Sequence, residues 1–151
     1  MIRSTLSGWA RGPVRDQRGS LSVEAVIIIP GLVLMLGLMI AGGRLWLART
    51  HLSEAAYSAA RAASLARDPG LAETDGEQVA RDELDSHGVR CQSTTVSVDT
   101  TAFAVPVGQP ATVTSHLECR VGFGDLLLPG FPGSIDLSAD GRSALDTYRQ
   151  R

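Results

Sequence analysis

The stretch Gly19-Ser-Leu-Ser-Val-Glu24 and the apolar run that follows it, Ala25 to Gly43, decide the fold of this chain. The run contains nineteen residues without a charge. As a helix it would span about 28 Å, which is close to the thickness of the hydrocarbon core of a bilayer. Membrane helices tolerate internal residues such as Pro30 and Gly31. The pattern therefore predicts a transmembrane segment at about 25–47.

A single carboxylate, Glu24, stands at the beginning of this apolar run. A charged group at the edge of a membrane segment is costly, and it usually has a function. The alternative is a charge favoured by the dipole at a helix start. Because Ser20-x-x-Val23 is not a capping box, the dipole is the only local reason for the charge. Gly19, five positions before this carboxylate and preceded by an arginine-rich stretch, is a candidate cleavage site, with Ser20 as the first mature residue and Glu24 as the fifth.

The charges are distributed unevenly along the chain. Residues 1–19 contain four arginines and one aspartate, a net charge of +3, whereas the remainder contains ten arginines and fifteen acidic residues, a net charge of −5. Positively charged flanks of membrane segments stay in the cytoplasm. We therefore expect 1–19 to be a cytoplasmic basic leader and the acidic remainder to be extracytoplasmic. The absence of a basic stripe in this remainder argues against nucleic acid as a partner.

The pattern beyond the apolar run predicts an α+β fold with a long N-terminal helix, a short second helix and a small three-stranded antiparallel sheet. The first helix is expected over 20–67, where apolar residues recur at spacings of three and four before Asp68-Pro-Gly70. Thr74-Asp-Gly-Glu77 is a capping-box signature that predicts a second helix over Glu77–His87. With the strands, this helix would form a small extracytoplasmic domain over 74–151.

Period-two alternation appears in the second half of the chain. A first strand is expected within Arg90–Val105, followed by a turn at 105–110. A third is expected at Ile135–Ala139 and could continue to Leu145, unless Asp140-Gly141 bends it or forms a turn. Between the first and third strands, the alternation predicts a second strand that is half-buried. Its expected inward residues are Val113, Ser115, Leu117, Cys119 and Val121.

The two cysteines of the chain, Cys91 and Cys119, fall in strands expected outside the cytoplasm, where a disulfide is the default. Pairing them would place the midpoint of the hairpin at Val105, on the expected turn. Strict register would then put Val96 on the face opposite Leu117, and a bulge between Cys91 and Val96 would resolve this conflict. The predicted bond would stabilise the fold by on the order of 3 kcal/mol.

No metal site, cofactor or catalytic group is predicted. The spacings His87-x-x-x-Cys91 and His116-x-x-Cys119 superficially resemble zinc patterns. Three residues along a strand, however, place His116 and Cys119 on opposite faces. His51 is expected on the helix surface near the lipid headgroups. The sequence has neither a phosphate-binding glycine loop after a strand nor a nucleophile elbow, and the chain is therefore interpreted as a non-enzyme.

Three segments of the sequence resemble the TadE-like family, the minor pilins or pseudopilins of tight-adherence (Tad/Flp) type IV pilus systems. They are Arg18-Gly-Ser-Leu-Ser-Val-Glu-Ala25, Gly43-Arg-Leu-Trp46 and Ala59-Ala-Arg-Ala-Ala63. The resemblance covers residues 18–66 and departs from the family at Ala25, where an aromatic residue is usual. It implies cleavage after Gly19 by a prepilin peptidase on the cytoplasmic side. Glu24 would then act in assembly, because its carboxylate can pair with the new amine of Ser20 and set the axial register of the subunits.

The resemblance also implies partners and a location. The partners would be the prepilin peptidase, other pilin or pseudopilin subunits, the inner-membrane assembly platform and the lipid bilayer. The protein would cross the cytoplasmic membrane once, with its N-terminus in the cytoplasm, and incorporation into a surface pilus is one outcome.

Two alternatives remain open from the sequence. One is an unprocessed single-pass envelope protein, an anchor or secretion-system component that would begin at Met1 or Ile2. The other is a soluble ligand-binding or enzymatic domain released by signal peptidase and beginning near Arg44, since Ala41-Gly-Gly43 offers small residues at the −3 and −1 positions. Against the second, the apolar run is long and begins with Glu24. The mature N-terminus distinguishes all three, because the pilin-like interpretation requires Ser20.

Overall fold

The computed structural model describes residues 20–126 and 132–148, with only the backbone described at 20–23, 125 and 126. The expected leader, which ends at Gly19, and residues 127–131 lie outside the described residues. The predicted α+β architecture is confirmed. Its elements are α1 (Ser20–Leu65), α2 (Pro69–Ser86), β1 (Cys91–Asp99), a 3-10 helix (Thr101–Ala104), β2 (Ala111–Gly122), a one-turn α3 (Phe123–Leu126) and β3 (Ser134–Leu145).

The chain divides into two compact units, residues 1–36 and 37–151. In the first unit, the described residues form the N-terminal part of α1, and their side chains from Glu24 onward are exposed. Pro30 lies inside this helix. Among the described residues, Glu24–Leu65 is the one helical span long and apolar enough to cross a bilayer, and none of its most apolar window is buried.

In the second unit, α1 buries an alanine-rich surface. The apolar face expected from spacings of three and four is buried at its centre and partly buried at its ends, and further alanines extend it on both sides. Its buried residues are Ala48, Leu52, Ala55 and Ala59, and its partly buried residues are Leu45, Ala62 and Ala66. The stripe is wide because α1 packs against both the sheet and α2, so more than one face of the helix is covered. The buried residues of α1 in this unit are Ala48, Leu52, Ala55, Ala56, Ala59, Ala60, Ala63 and Ser64.

Two small residues of the sheet allow α1 to approach closely at Ala56. The hydroxyl of Ser115 on β2 donates a hydrogen bond of 2.6 Å to the carbonyl oxygen of Ala56. On β3, a Cβ added to Gly141 would overlap the same carbonyl group. Gly141 is therefore part of a continuous strand, and neither a bend nor a turn forms at Asp140-Gly141.

The second helix begins at Pro69, eight residues before the predicted start at Glu77. The predicted start was wrong because a stronger signal lies upstream: Asp68 is the N-cap, and its carboxylate accepts a 2.9 Å hydrogen bond from the backbone N–H of Leu71. Proline suits the position after the cap because its missing N–H would have no partner there. Gly76, part of the expected capping box, is buried where α2 meets α1 and β1.

The three strands form one antiparallel sheet in the order β1-β2-β3. The five residues of β2 predicted to face inward are all buried. Val96 lies directly opposite Leu117, on the same face of the sheet. The register shifts between Cys91 and Ser93, so the predicted bulge is present in β1. The sheet thus places one apolar face against the helices and leaves the other in solvent.

Candidate functional site

The predicted assembly residue, Glu24, lies on α1 with an exposed side chain. Ser20 precedes it by four residues, so the two positions are about 6 Å apart along the helix axis. Gly19 lies outside the described residues, and only the backbone of Ser20 is described. The described part of α1 therefore contains Ser20 and Glu24, whereas the bond between Gly19 and Ser20 is not among the described residues.

The large apolar side chains that follow Glu24 are unusually exposed. Between Val26 and Ile40 their exposed fractions range from 51% at Ile28 to 72% at Ile27. Apolar surface in water costs about 25 cal/mol per Å², so a bare segment of this size is unfavourable in aqueous solution. Its stable surroundings are a bilayer or other apolar helices.

Residues 19–61 match the family model described as TadE-like protein. This segment is TadE-like. The predicted resemblance is thus confirmed, and the TadE-like segment begins at Gly19, includes Ser20 and Glu24, and ends within α1. The family is associated with tight-adherence pili, and the matched segment contains the N-terminal apolar helix of this chain. No curated protein and no solved structure shows a significant match to the chain.

Outside the TadE-like segment, Cys91 and Cys119 form a disulfide with their Cα atoms 5.4 Å apart. The bond runs diagonally between the strands, because Cys119 lies opposite Thr94 in the register while Cys91 lies opposite Val121. The bulge after Cys91 shifts the register by one residue, which puts Cys91 on the same face of the sheet as Cys119. Cys119 is only 1% exposed, so the bond forms part of the core.

Two histidines that the sequence placed in separate elements lie together in the second unit. His51, within the TadE-like segment, stacks on His87 with ring centroids 4.2 Å apart and planes inclined by 15°. A carboxylate oxygen of Glu54 lies 3.2 Å from His51 Nδ1 and 3.9 Å from His87 Nε2. Glu83 approaches His87 Nε2 to 3.3 Å. We call His51, Glu54, Glu83 and His87 the histidine cluster.

Sequence reasoning missed the histidine cluster because it requires knowing which helices pack together. A signal was nevertheless present. His51 and Glu54 are three residues apart on α1, and Glu83 and His87 are four apart at the end of α2, which are the spacings that bring helical side chains together. His87 is the C-cap of α2, and Gly88 after it has φ +67°, the left-handed conformation that glycine often adopts just after a helix.

The third histidine, His116, lies on the solvent face of the sheet. Its Nδ1 is 2.7 Å from a carboxylate oxygen of Asp140 on β3, and its Nε2 is 3.3 Å from Glu118. Hydrogen bonds to Asp140, and secondly to Glu118, raise the pKa of His116 above its ordinary value. On the same face, Arg120 makes two hydrogen bonds to Asp136 and lowers the pKa of that carboxyl.

We expect the mutation Asp140→Asn to lower the pKa of His116 towards the value of about 6.5 found in an unfolded chain. A raised pKa means that the folded state favours protonated His116. The stabilisation from these contacts is therefore complete below the unfolded pKa and is lost as the pH rises through the folded pKa. Titration of the His116 ring by NMR measures the change. Asp82→Asn on α2 is the control, and an unchanged His116 pKa in Asp140→Asn would contradict the assignment.

Proposed function

We propose that this chain is a minor pilin or pseudopilin of a tight-adherence pilus system, held in the cytoplasmic membrane by the apolar part of α1 and cut between Gly19 and Ser20 by a prepilin peptidase. The observation that carries the proposal is the TadE-like match over residues 19–61, which begins at the residue before the proposed cut and contains Glu24. The exposed apolar surface after Glu24 supports it, because such a segment requires lipid or sister helices.

The proposed cut changes the charge at the start of α1. Cleavage creates a cationic α-amino group on Ser20, one helical turn from the Glu24 carboxylate. Within a bundle of parallel apolar helices both groups are removed from water, and a buried charge requires a partner. The amine of the same or a neighbouring subunit is that partner, and the pairing fixes the axial register of the subunits. Before the cut, the basic leader holds this end of the chain at the cytoplasmic surface.

In this proposal the part of the chain beyond the transmembrane segment, from about residue 48 onward, is the extracytoplasmic part of the subunit. Its disulfide supports this location, because such bonds persist in oxidising compartments and are rare in the cytoplasm. The net positive charge of residues 1–19 supports the opposite location for the N-terminus. The partners of the subunit are the peptidase, other pilin or pseudopilin subunits and the assembly platform of the inner membrane.

The test is the N-terminal sequence of the protein extracted from the membranes of cells that express a complete pilus system. We expect it to begin at Ser20. The mutation Gly19→Ala should leave an uncut precursor about 2 kDa heavier, since nineteen residues remain on a chain of 151 residues and 15.9 kDa. An electrophoretic shift of the membrane-extracted protein reports the result.

Gly12→Ala is the matched control, because it makes the same chemical change within the leader but away from the proposed cut. This variant should be processed like the unmodified chain. A protein that begins at Met1 or Ile2 in cells with assembled pili would contradict the proposal and favour an unprocessed single-pass anchor. A soluble protein that begins near Arg44 would favour release by signal peptidase.

A further inference from the structure

The histidine cluster combines two imidazole rings and two carboxylates from two helices. Its donor atoms come from opposite sides of the contact between α1 and α2: His51 and Glu54 on one helix, Glu83 and His87 on the other. One nitrogen of each ring and one oxygen of Glu54 all lie within 4.8 Å of one another. The four side chains are partly exposed, with exposed fractions from 26% to 52%, so small ions can reach them.

The fold itself brings these side chains together. Gly76 lets α2 approach α1, because it leaves room for the carbonyl oxygen of Ala59 and the methyl group of Ala63. Further along α2, Leu84 is buried in the same core cluster as Leu52 of α1. His51 and Glu83 are each adjacent in sequence to one of these two leucines. Packing of the leucines therefore fixes the two helix surfaces that carry the cluster.

Two separations between neighbouring donor atoms are close to the value that a small metal ion requires. A tetrahedral zinc ion with ligands at about 2.0–2.1 Å requires its donor atoms to be about 3.3 Å apart. Glu54 Oε2 lies 3.2 Å from His51 Nδ1, and Glu83 Oε1 lies 3.3 Å from His87 Nε2. The distance of 3.9 Å between Glu54 Oε2 and His87 Nε2 is larger. Because an ion must lie in the plane of each imidazole that binds it, binding requires the two stacked rings to rotate out of parallel.

We propose that His51, Glu54 and His87, with Glu83 beside His87, form a binding site for a divalent transition metal ion with the coordination preferences of zinc. Imidazole nitrogen selects zinc, copper, nickel or iron over magnesium and calcium, which prefer oxygen ligands. The two carboxylates of the site balance the charge of a divalent cation. The bound ion would connect α1 directly to the C-terminal end of α2.

A cavity and two arginine side chains lie beside the histidine cluster, and they affect how an ion reaches the site and how tightly it binds. A cavity of about 240 Å³ adjoins both rings and is also lined by Arg44 and Arg90. These arginines reduce the local negative charge, so we expect an affinity below that of a closed structural zinc site. Both cysteines of the chain are held in the disulfide and do not compete for the ion.

The proposal is tested by titrating Zn²⁺ into the full-length chain in detergent micelles, purified without a polyhistidine tag, with calorimetric detection. We expect one ion per chain. His51→Ala and His87→Gln should each lower the affinity at least tenfold, because each removes one of two imidazole ligands. Co²⁺ is a second probe, because the intensity of its visible absorption reports tetrahedral coordination. That absorption should appear with the unmodified chain and be lost in both variants.

His116→Ala is the matched control, because His116 also lies between two carboxylates but on the other side of the sheet. It should leave the Zn²⁺ affinity unchanged. Glu54→Gln, which nearly preserves side-chain shape, should weaken binding, and metal-free circular dichroism and unfolding midpoints identify variants that have not folded. Absence of saturable binding, equal binding by folded His51→Ala and His87→Gln, or loss of binding in His116→Ala would each overturn the proposal.

Discussion

The mutation Glu24→Ala is expected to leave the protein in the membrane and to reduce its incorporation into pili at least a hundredfold. Insertion should be unaffected, because the apolar run is unchanged and a costly charge has been removed. Assembly should fail because the mature α-amino group of Ser20 would be buried without its carboxylate. Removing one member of a buried ion pair costs about 3–5 kcal/mol, and about 1.4 kcal/mol corresponds to a tenfold change in an equilibrium constant.

The measurement compares the protein in sheared pili or cross-linked assembly complexes with the protein in the membrane fraction. Glu24→Gln keeps the size of the side chain but removes its charge. We expect this variant also to be excluded from pili, because an amide cannot neutralise the amine of Ser20. Glu73→Ala, which removes an exposed carboxylate from α2, is the control and should assemble normally. If Glu24→Ala is processed and incorporated like the unmodified chain, the proposed role of Glu24 is wrong.

The second large effect is expected at Gly141, where the added methyl group of Gly141→Ala should destabilise the second unit by about 3 kcal/mol. Forcing extra atoms into a packed core typically costs 1–3 kcal/mol. The upper end applies here because the new Cβ would overlap the backbone carbonyl of Ala56, which cannot rotate away as a side chain can. The displaced helix would also lose its hydrogen bond from Ser115. Gly141→Val should prevent stable folding of the unit.

Pulse proteolysis of the full-length chain in detergent over a series of urea concentrations measures this loss as a lower unfolding midpoint. Gly42→Ala is the matched control, because a Cβ at that position would have no atom within 4 Å. The control should keep the midpoint of the unmodified chain. An unchanged midpoint in Gly141→Ala would show that α1 does not pack on β3 as described.

Elements with a strong local signal could be predicted from the sequence. The strand β2 has strict alternation, and all five residues expected on its inner face are buried. The bulge in β1 followed from two constraints that strict register could not satisfy together, the pairing of Cys91 with Cys119 and a common face for Val96 and Leu117. In both cases the residues that decide the structure are close in sequence or covalently linked.

Other features depended on contacts that no local pattern reports. Asp140-Gly141 has the composition of a tight turn, but its glycine is needed for the close approach of Ala56. Similarly, Gly76 in the expected capping box is a packing residue inside α2. The histidine cluster was missed for the same reason, since His51 and His87 become neighbours only when their helices pair. These three features therefore depend on packing between residues far apart in sequence, which local sequence patterns do not reveal.

The redox state of the diagonal disulfide between Cys91 and Cys119 depends on the compartment in which the molecule has been. Thiols stay reduced in the cytoplasm and are oxidised beyond it. In the proposed topology, the hairpin acquires its disulfide only after crossing the bilayer, and burial of Cys119 then shields the bond from reductants. With that topology, the oxidised fraction of the protein would equal the fraction of molecules that have been translocated, whether or not they have entered a filament.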